Sequence, residues 1–343
     1  MMFNKTTNAP TAIGTININK LENNALLAWF KRNLGSIIAL MFMCVGLSLF
    51  TNTFLVNTNL LSVLRNNCVN CLIAFGITCV LIGGGIDLSV GSVAAASGVL
   101  AVRMANMKMG GSAWVQIAFI IFIALLFGAA VGLFNGYVIS HTTLPPFIVT
   151  LSVQIIIRGV SYIMTGGQPT QCSNEAFNNL GTGYWLGLPI PVWIVIFALI
   201  ILFFIMNRTT FGRHVYAVGG NKEAARYAGV SVKSVQMRNF MISGIMAALA
   251  GVVLASRLYS GQPNVGEGFE RDAISASVLG GTSFNGGIGT LSGTVIGAMI
   301  IGVMNNGMNL LRIDTYWQYV VKGCIILGAV YIDFLKKARS LKK

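Results

Sequence analysis

The sequence predicts an all-α, polytopic helical membrane protein with about ten transmembrane helices, some of them broken or re-entrant, and a short cytoplasmic helix in a basic loop. Three observations carry that reading. Hydrophobic residues make up 55% of the chain and charged residues 9%, and the mean hydropathy is +0.75, a composition of lipid-embedded rather than soluble domains. Ten apolar segments recur along the chain, and a helix needs about 20 predominantly apolar residues to cross the hydrocarbon layer. The net charge of +14 is gathered at segment ends and in two short stretches, which is the pattern of membrane topology and not of a nucleic-acid footprint.

Residues 1–33 form a polar cytoplasmic tail without the pattern of a cleaved signal, so the first span serves as the insertion signal. Leu21 to Phe30 reads as a short interfacial helix or as tail running into the span. Within a membrane domain of residues 34–335, the clearest spans are Ser36 to Phe50, Cys68 to Leu81, Val115 to Ile139, Ile190 to Met206, Phe240 to Ala255 and Tyr319 to Phe334. Gly91 to Met107, Pro146 to Met164, Ala273 to Leu279 and Leu291 to Leu310 are interrupted by Gly, Asn, Ser or Arg. Lys and Arg stay cytoplasmic in short loops. Lys31 and Arg32, the loop 207–238 and the basic tail 336–343 therefore lie inside, both termini are cytoplasmic, and the Lys- and Arg-free stretch Gly166 to Leu188 lies outside.

Gly128, Gly132 and Gly136, and likewise Gly289, Gly293 and Gly297, recur every four residues. Such faces let helix backbones approach closely in lipid, so both read as packing seams. Cys68 and Cys71 share a helical face, but two ligands fall short of a metal site, and they read as small apolar residues of a span, with no metal expected.

Asp87 is the sole acid between Glu22 and Glu175 and follows three glycines. It reads as the cap of a helix from Leu88 to Met107 at a break, or as a polar group on a pathway. Gly280 to Gly289 is a comparable break, and Asn135-Gly136 and Asn306-Gly307 hint at a duplication. Gln154, Asn305, Asn306 and Asn309 are amides in apolar stretches, suited to a solute path with Asp87 or, more plainly, to interhelical bonds. Arg158 and Lys322 read as snorkelling cations. Arg257, Glu267, Glu270, Arg271 and Asp272 bracket a Gly-rich connection on the outer side, where charges steer encounter with a partner or are simply solvated.

In the basic loop, Asn221 is placed to cap a helix of roughly two turns, Glu223 lies in its first turn where negative charge is favoured, and Gly229 ends it. Ala224, Ala225 and Ala228 leave room for a groove to close around it, and Arg226 and Tyr227 offer specific contacts. No phosphate-cradling Gly-x-x-x-x-Gly-Lys-Ser/Thr loop and no recognisable catalytic motif is present, so no catalytic residue is expected and any nucleotide is handled elsewhere.

Glu223-Ala224-Ala225 with Gly229 four positions on resembles the coupling loop of ATP-binding cassette (ABC) permeases, and Ala217-Val218-Gly219-Gly220-Asn221 is similar to the version in ribose-type sugar permeases, within the branched-chain amino acid/ribose permease family. Gly84 to Ser92 (GGIDLSVGS), Asp272-Ala273-Ile274, Val278 to Ser283 (VLGGTS), Asn305 to Leu310 (NNGMNL) and Tyr316-Trp317-Gln318 agree in order, from about residue 50 to 335. Residues 1–33 lie outside the resemblance, and Phe284-Asn285 replaces smaller residues. The resemblance implies the permease subunit of an importer in the bacterial inner membrane, translocating a ribose-like pentose or related sugar by alternating access. It implies a separate ABC ATPase subunit that holds ATP and magnesium, a periplasmic sugar-binding protein, and a second permease copy in a homodimer. Asn221, Glu223, Ala224, Ala225, Arg226 and Gly229 would be the ATPase-coupling residues. The alternative is an ion-coupled secondary transporter of a small polar solute with Asp87 as its coupling carboxylate, against which the scarcity of intramembrane acids argues.

Overall fold

The computed structural model describes residues 18–107 and 112–340; residues 1–17 of the N-terminal tail and Lys342 and Lys343 of the basic tail lie outside the described residues. The described residues form a bundle of thirteen helices: α1 (Ile18–Phe50), α2 (Asn57–Ile82), α3 (Val90–Ala105), α4 (Ala113–His141), α5 (Pro146–Thr165), α6 (Glu175–Thr182), α7 (Ile190–Arg208), α8 (Thr210–Gly220), α9 (Lys222–Tyr227), α10 (Val232–Arg257), α11 (Phe269–Leu279), α12 (Leu291–Leu310) and α13 (Thr315–Ser340). The only extended pairs among the described residues are β1 (Thr170–Gln171) with β4 (Ser260–Gly261) and β2 (Tyr184–Trp185) with β3 (Leu188–Pro189), both antiparallel.

Each of the ten predicted segments falls on a helix. Among the described residues, 7 are long and apolar enough to cross a membrane: Asn33–Phe50 within α1, and α2, α4, α5, α7, α10 and α12. Helices α3 and α11 have 16 and 11 residues, rising only about 24 and 16 Å at 1.5 Å per residue, short of the ~30 Å hydrocarbon core. They are the half-helices that the glycine breaks foretell. Leu21–Phe30 is neither a separate interfacial helix nor loose chain, because α1 runs without interruption from Ile18. The stretch 166–188 is not a bare loop: Asn174 caps α6 by accepting from the Phe177 amide at 3.0 Å, and β1 ties it to the segment after α10.

Helix α10 is the axis of the bundle, packed on α4, α3 and α2. The Gly128, Gly132 and Gly136 seam meets it as predicted: a Cβ on Gly132 would strike the Phe240 carbonyl oxygen and lie 2.8 Å from the Met241 Cα, and one on Gly136 would lie 2.6 Å from the Met237 Cα. In the second series, Gly293 and Gly297 lie against the backbone of Gly280 and Ala276 on the α11 side, but Gly289 precedes α12 and packs on Ile82 and Thr282 in the turn. That seam is therefore two glycines long.

A broken helix exposes backbone groups that need partners in a medium without water. Around the break between α2 and α3, neighbouring helices supply them. The Asn239 amide donates to the Cys79 carbonyl at 2.8 Å, and the Leu88 amide donates to Thr150 Oγ1 at 3.1 Å. Asp87, 1% exposed, accepts from the Ser89 amide (3.0 Å) and Ser89 Oγ (2.6 Å) through one oxygen and from Ser243 Oγ (2.7 Å) through the other. Asn135 Nδ2 of α4 then donates to Ser89 Oγ at 2.9 Å. Asp87 is thus not the cap of a helix starting at Leu88, since α3 begins at Val90 behind Ser89. It closes a turn on Ser89 and fastens the break to α10. Asn135 serves this network, whereas Asn306 pairs reciprocally with Asn59 on α2 (2.9 and 3.2 Å), so the two Asn-Gly pairs do different work.

The cysteines Cys68, Cys71 and Cys79 are buried on α2, with Cys68 Sγ donating to the Leu64 carbonyl at 3.1 Å, as small span residues do. Among the described residues no three His, Cys, Asp or Glu side chains gather as metal ligands.

Gly132→Leu is expected to lower the stability of the purified protein by about 1–3 kcal/mol or more through overpacking at backbone, read as loss of folded, monodisperse protein in detergent; wild-type yield and melting would contradict the seam. Asp87→Leu would strand three donors, at about 1–3 kcal/mol for each one buried, while Asp87→Asn keeps acceptor oxygen and is expected to melt between the two. Thermal melts in detergent decide this, and an Asp87→Leu protein as stable as wild type would refute the fastening role.

Candidate functional site

The predicted knob is present and better defined than the sequence foresaw. Asn221, extended at φ −158°, accepts the Ala224 amide at 3.0 Å through its side chain. Glu223 stands in the first turn. At the other end Gly229 takes φ +81°, which a side chain disfavours. Its amide donates to the Arg226 carbonyl and the Val230 amide to the Ala225 carbonyl, both at 3.0 Å; this doubled closure is a Schellman motif. A six-residue helix is too short to persist on local propensity alone, so these caps define it.

Burial divides the knob in two. Ala225 is buried and, with Val230, packs into the core of its own chain. Lys222, Glu223, Ala224, Arg226, Tyr227, Ala228 and Gly229 are exposed, Tyr227 at 87%. Ala225 therefore anchors the helix, and the remaining predicted coupling residues are free to meet a partner.

Sequence reasoning missed α8, which precedes the knob. Its cap, Thr209, accepts from the Gly212 amide at 3.4 Å, a Thr directly after the apolar run that was the available signal. Helix α8 ends at Gly219 and Gly220, where the chain meets both helix breaks at once. A Cβ on Gly219 would run into the Ile82 carbonyl at the end of α2 and stand 2.7 Å from the Gly287 amide nitrogen. A Cβ on Gly286 would lie 2.7 Å from the Gly219 carbonyl oxygen and 3.0 Å from the Gly84 Cα. The Gly287 amide donates to the Ile82 carbonyl at 2.8 Å, and Tyr216 of α8 donates its hydroxyl to the Gly289 carbonyl at 2.9 Å. Three backbones are in contact with no side chain between them, at the junction of the knob, the α2–α3 break and the α11–α12 break.

The five pathway candidates do not converge. Asp87 is enclosed at the first break, Asn306 is in its amide pair with Asn59, and Gln154 is half-buried on α5. Asn305 Oδ1 is buried without a hydrogen-bond partner. Asn309 accepts from Gln318 Nε2 of α13 at 3.1 Å. The proposed docking charges also part company. Arg257 donates to Asn66 Oδ1 at 3.0 Å, near Arg65, which stacks 4.9 Å from the centre of the Tyr184 ring. Glu270 is buried at 7%, its Oε2 without a hydrogen-bond partner and close to Gly91. Glu267 and Arg271 border a cavity between α11 and α13 together with Asp272 and Lys322.

Two cations expected to snorkel have partners instead. Arg158 Nη1 donates to the Pro263 and Val265 carbonyls, each at 2.6 Å, pinning the connection that follows β4. Lys322 Nζ pairs with Asp272 Oδ2 at 2.9 Å.

Against known proteins, residues 59–330 match the family model described as "Branched-chain amino acid transport system / permease component". The chain is 42% identical over 309 residues to the ribose import permease protein RbsC of Bacillus subtilis, covering 90% of this chain and 94% of that protein. It is 40% identical over 303 residues to the L-arabinose transport system permease protein AraH of Escherichia coli (88% and 90%), and 38% identical over 312 residues to that organism's D-allose transport system permease protein AlsC (91% and 94%). No solved structure matches it. Matched over most of its length by this model and by these relatives, and built as a multi-pass helical bundle with a capped, exposed knob, the chain belongs to the branched-chain amino acid transport system / permease component family.

Proposed function

We propose that this chain is the transmembrane permease subunit of an ATP-driven importer that moves a monosaccharide into the cytoplasm by alternating access. The supporting observation is the glycine junction: an exposed helix, capped at both ends, stands on backbone that touches both helix breaks. A push on α9 from outside the chain therefore reaches both breaks through contacts that have almost no room to yield. The names of the similar proteins, import permeases for ribose, arabinose and allose, support a sugar as the cargo.

In this reading the chain performs no covalent chemistry. A separate ABC ATPase subunit binds ATP and magnesium and grips the exposed face of α9: Glu223, Ala224, Arg226 and Tyr227. The knob end is cytoplasmic, as are both termini of a multi-pass chain in the inner membrane, in keeping with the Lys and Arg of the 207–238 loop and of the C-terminal tail. A second copy completes the permease as a homodimer, and a periplasmic sugar-binding protein docks at the opposite end, where α6 and the β2–β3 hairpin lie. Work is done by biasing a two-state helix arrangement. The ion-coupled alternative loses its main support, because both oxygens of Asp87 are engaged by serine donors within the fold.

The test is reconstitution of the chain with its ATPase and binding protein. Gly219→Val is expected to abolish sugar uptake because its side chain displaces the Ile82 or Gly287 backbone, while Tyr227→Ala, at a residue 87% exposed, is expected to leave the fold intact and reduce uptake and ATPase stimulation together. Losing one desolvated aromatic contact of about 1–3 kcal/mol lowers ATPase affinity roughly 5- to 150-fold. ATP-independent uptake by the chain alone, or full activity in both variants, would refute the proposal.

A further inference from the structure

Between the first turn of α11 and the start of α13 lies a cavity of about 260 Å³, below the roughly 300–1,000 Å³ of pockets for drug-sized ligands and so scaled to a small solute. Its lining is mixed. Phe269 and Tyr319 contribute aromatic surface, and Arg271, Asp272, Gln318 and Lys322 contribute polar groups.

Charge narrows the ligand class. The carboxylates of Glu267 and Asp272 are balanced by Arg271 and Lys322, all four on the cavity wall, so the formal charge of the lining is zero. The Asp272–Lys322 pair is formed at 2.9 Å, which leaves neither ion as an unmatched attractor for a charged solute. A carboxylate retains lone pairs and an ammonium retains protons when they share one bond, and a neutral polyol can use both. Gln318 is fixed in the same sense: Nε2 donates to Asn309 Oδ1 at 3.1 Å and to the Ile313 carbonyl at 3.0 Å. With both amide protons engaged, its Oε1 acceptor is what it presents. Arg271, 58% exposed at its side chain, leaves the cavity wall accessible to solvent.

We infer that this cavity is a transit site for a neutral polyhydroxylated solute, a monosaccharide, which rests one face on Tyr319 and shares its hydroxyls among Asp272, Lys322 and Gln318. The inference rests on the reading of the chain as a sugar permease and assigns that activity a location. Aromatic surface flanked by hydrogen-bonding groups suits a sugar ring, apolar on its C–H face and polar at its edge. Asn309, legible in the sequence as a pathway amide, acts here as the residue that positions Gln318.

The experiment uses the full transporter, with its ATPase and binding protein, in proteoliposomes supplied in turn with D-ribose, L-arabinose and D-allose, and measures sugar accumulated and ATP hydrolysed in the same vesicles. Gln318→Leu removes the acceptor, together with the two bonds its amide donates to Asn309 and Ile313, at similar volume, and Thr315→Trp fills the cavity from its exposed rim. Both are expected to keep binding-protein-stimulated ATP hydrolysis while the sugar moved per ATP falls, by about five- to ten-fold for the loss of one hydrogen bond and further for the filled cavity. Wild-type ratios in either correctly assembled variant would overturn the transit site and leave the permease reading standing. Should Gln318→Leu fail to assemble, Thr315→Trp alone decides. Wild-type vesicles that accumulate none of the three sugars would instead overturn the permease reading for this cargo class, and the site with it.

Discussion

Three stretches of backbone meeting at Gly219 form the contact on which the rest of this protein depends. Side chains normally keep chain segments apart and give each some freedom to slide. Here Gly219 lies directly on the carbonyl of Ile82, with Gly84, Gly286 and Gly287 completing the contact. Packed interiors transmit displacement because they have little free volume, and a junction of bare backbone has less than most. The exposed helix α9 and the two breaks of the bundle are consequently one mechanical unit, though they lie far apart in sequence.

The breaks themselves obey the rule that lipid imposes on every peptide group. Each helix interruption must find its hydrogen-bond partners inside the protein, and the partners found here come from other helices: Ser243 and Asn239 of α10, Asn135 of α4 and Thr150 of α5 at the first break, and Tyr216 of α8 at the second. The Ser36 hydroxyl of α1 likewise donates to the Leu279 carbonyl at the end of α11, at 2.6 Å. Satisfying the breaks thus wires them to the surrounding helices. A change at one cannot be local, which is what alternating access requires of a bistable bundle.

Much of this was legible in the sequence, for identifiable reasons. The spans follow from length and apolarity, and the knob from Asn221, Glu223 and Gly229, because caps and macrodipole effects act within a few residues. The Gly128 seam followed from spacing alone. What failed depended on distant partners or on local look-alikes. Asp87 before Leu88-Ser89 reads as a helix cap, yet its side chain closes a turn on Ser89 and reaches Ser243, 156 residues away. Arg158 and Lys322 resemble snorkelling cations until Pro263, Val265 and Asp272 appear beside them. Ala225 fits a docking face by composition but points into its own core. Gly219-Gly220 before a capping Asn reads as a simple turn, and nothing in one dimension says which backbones it will touch.

If the knob and the two breaks move together, the distance between them should not change during the transport cycle. Spin labels at Arg226 on the exposed face of α9 and at Ile288 in the α11–α12 turn, which is 64% exposed, report that distance by pulsed electron resonance in the assembled transporter. A second pair, Arg226 with Trp185 at the opposite end of the bundle, reports the transport motion. The account expects ATP binding to shift the 226–185 distribution while the 226–288 distribution stays fixed. A 226–288 distance that changes with nucleotide, as α9 swings independently of the turn beneath it, would contradict the central claim.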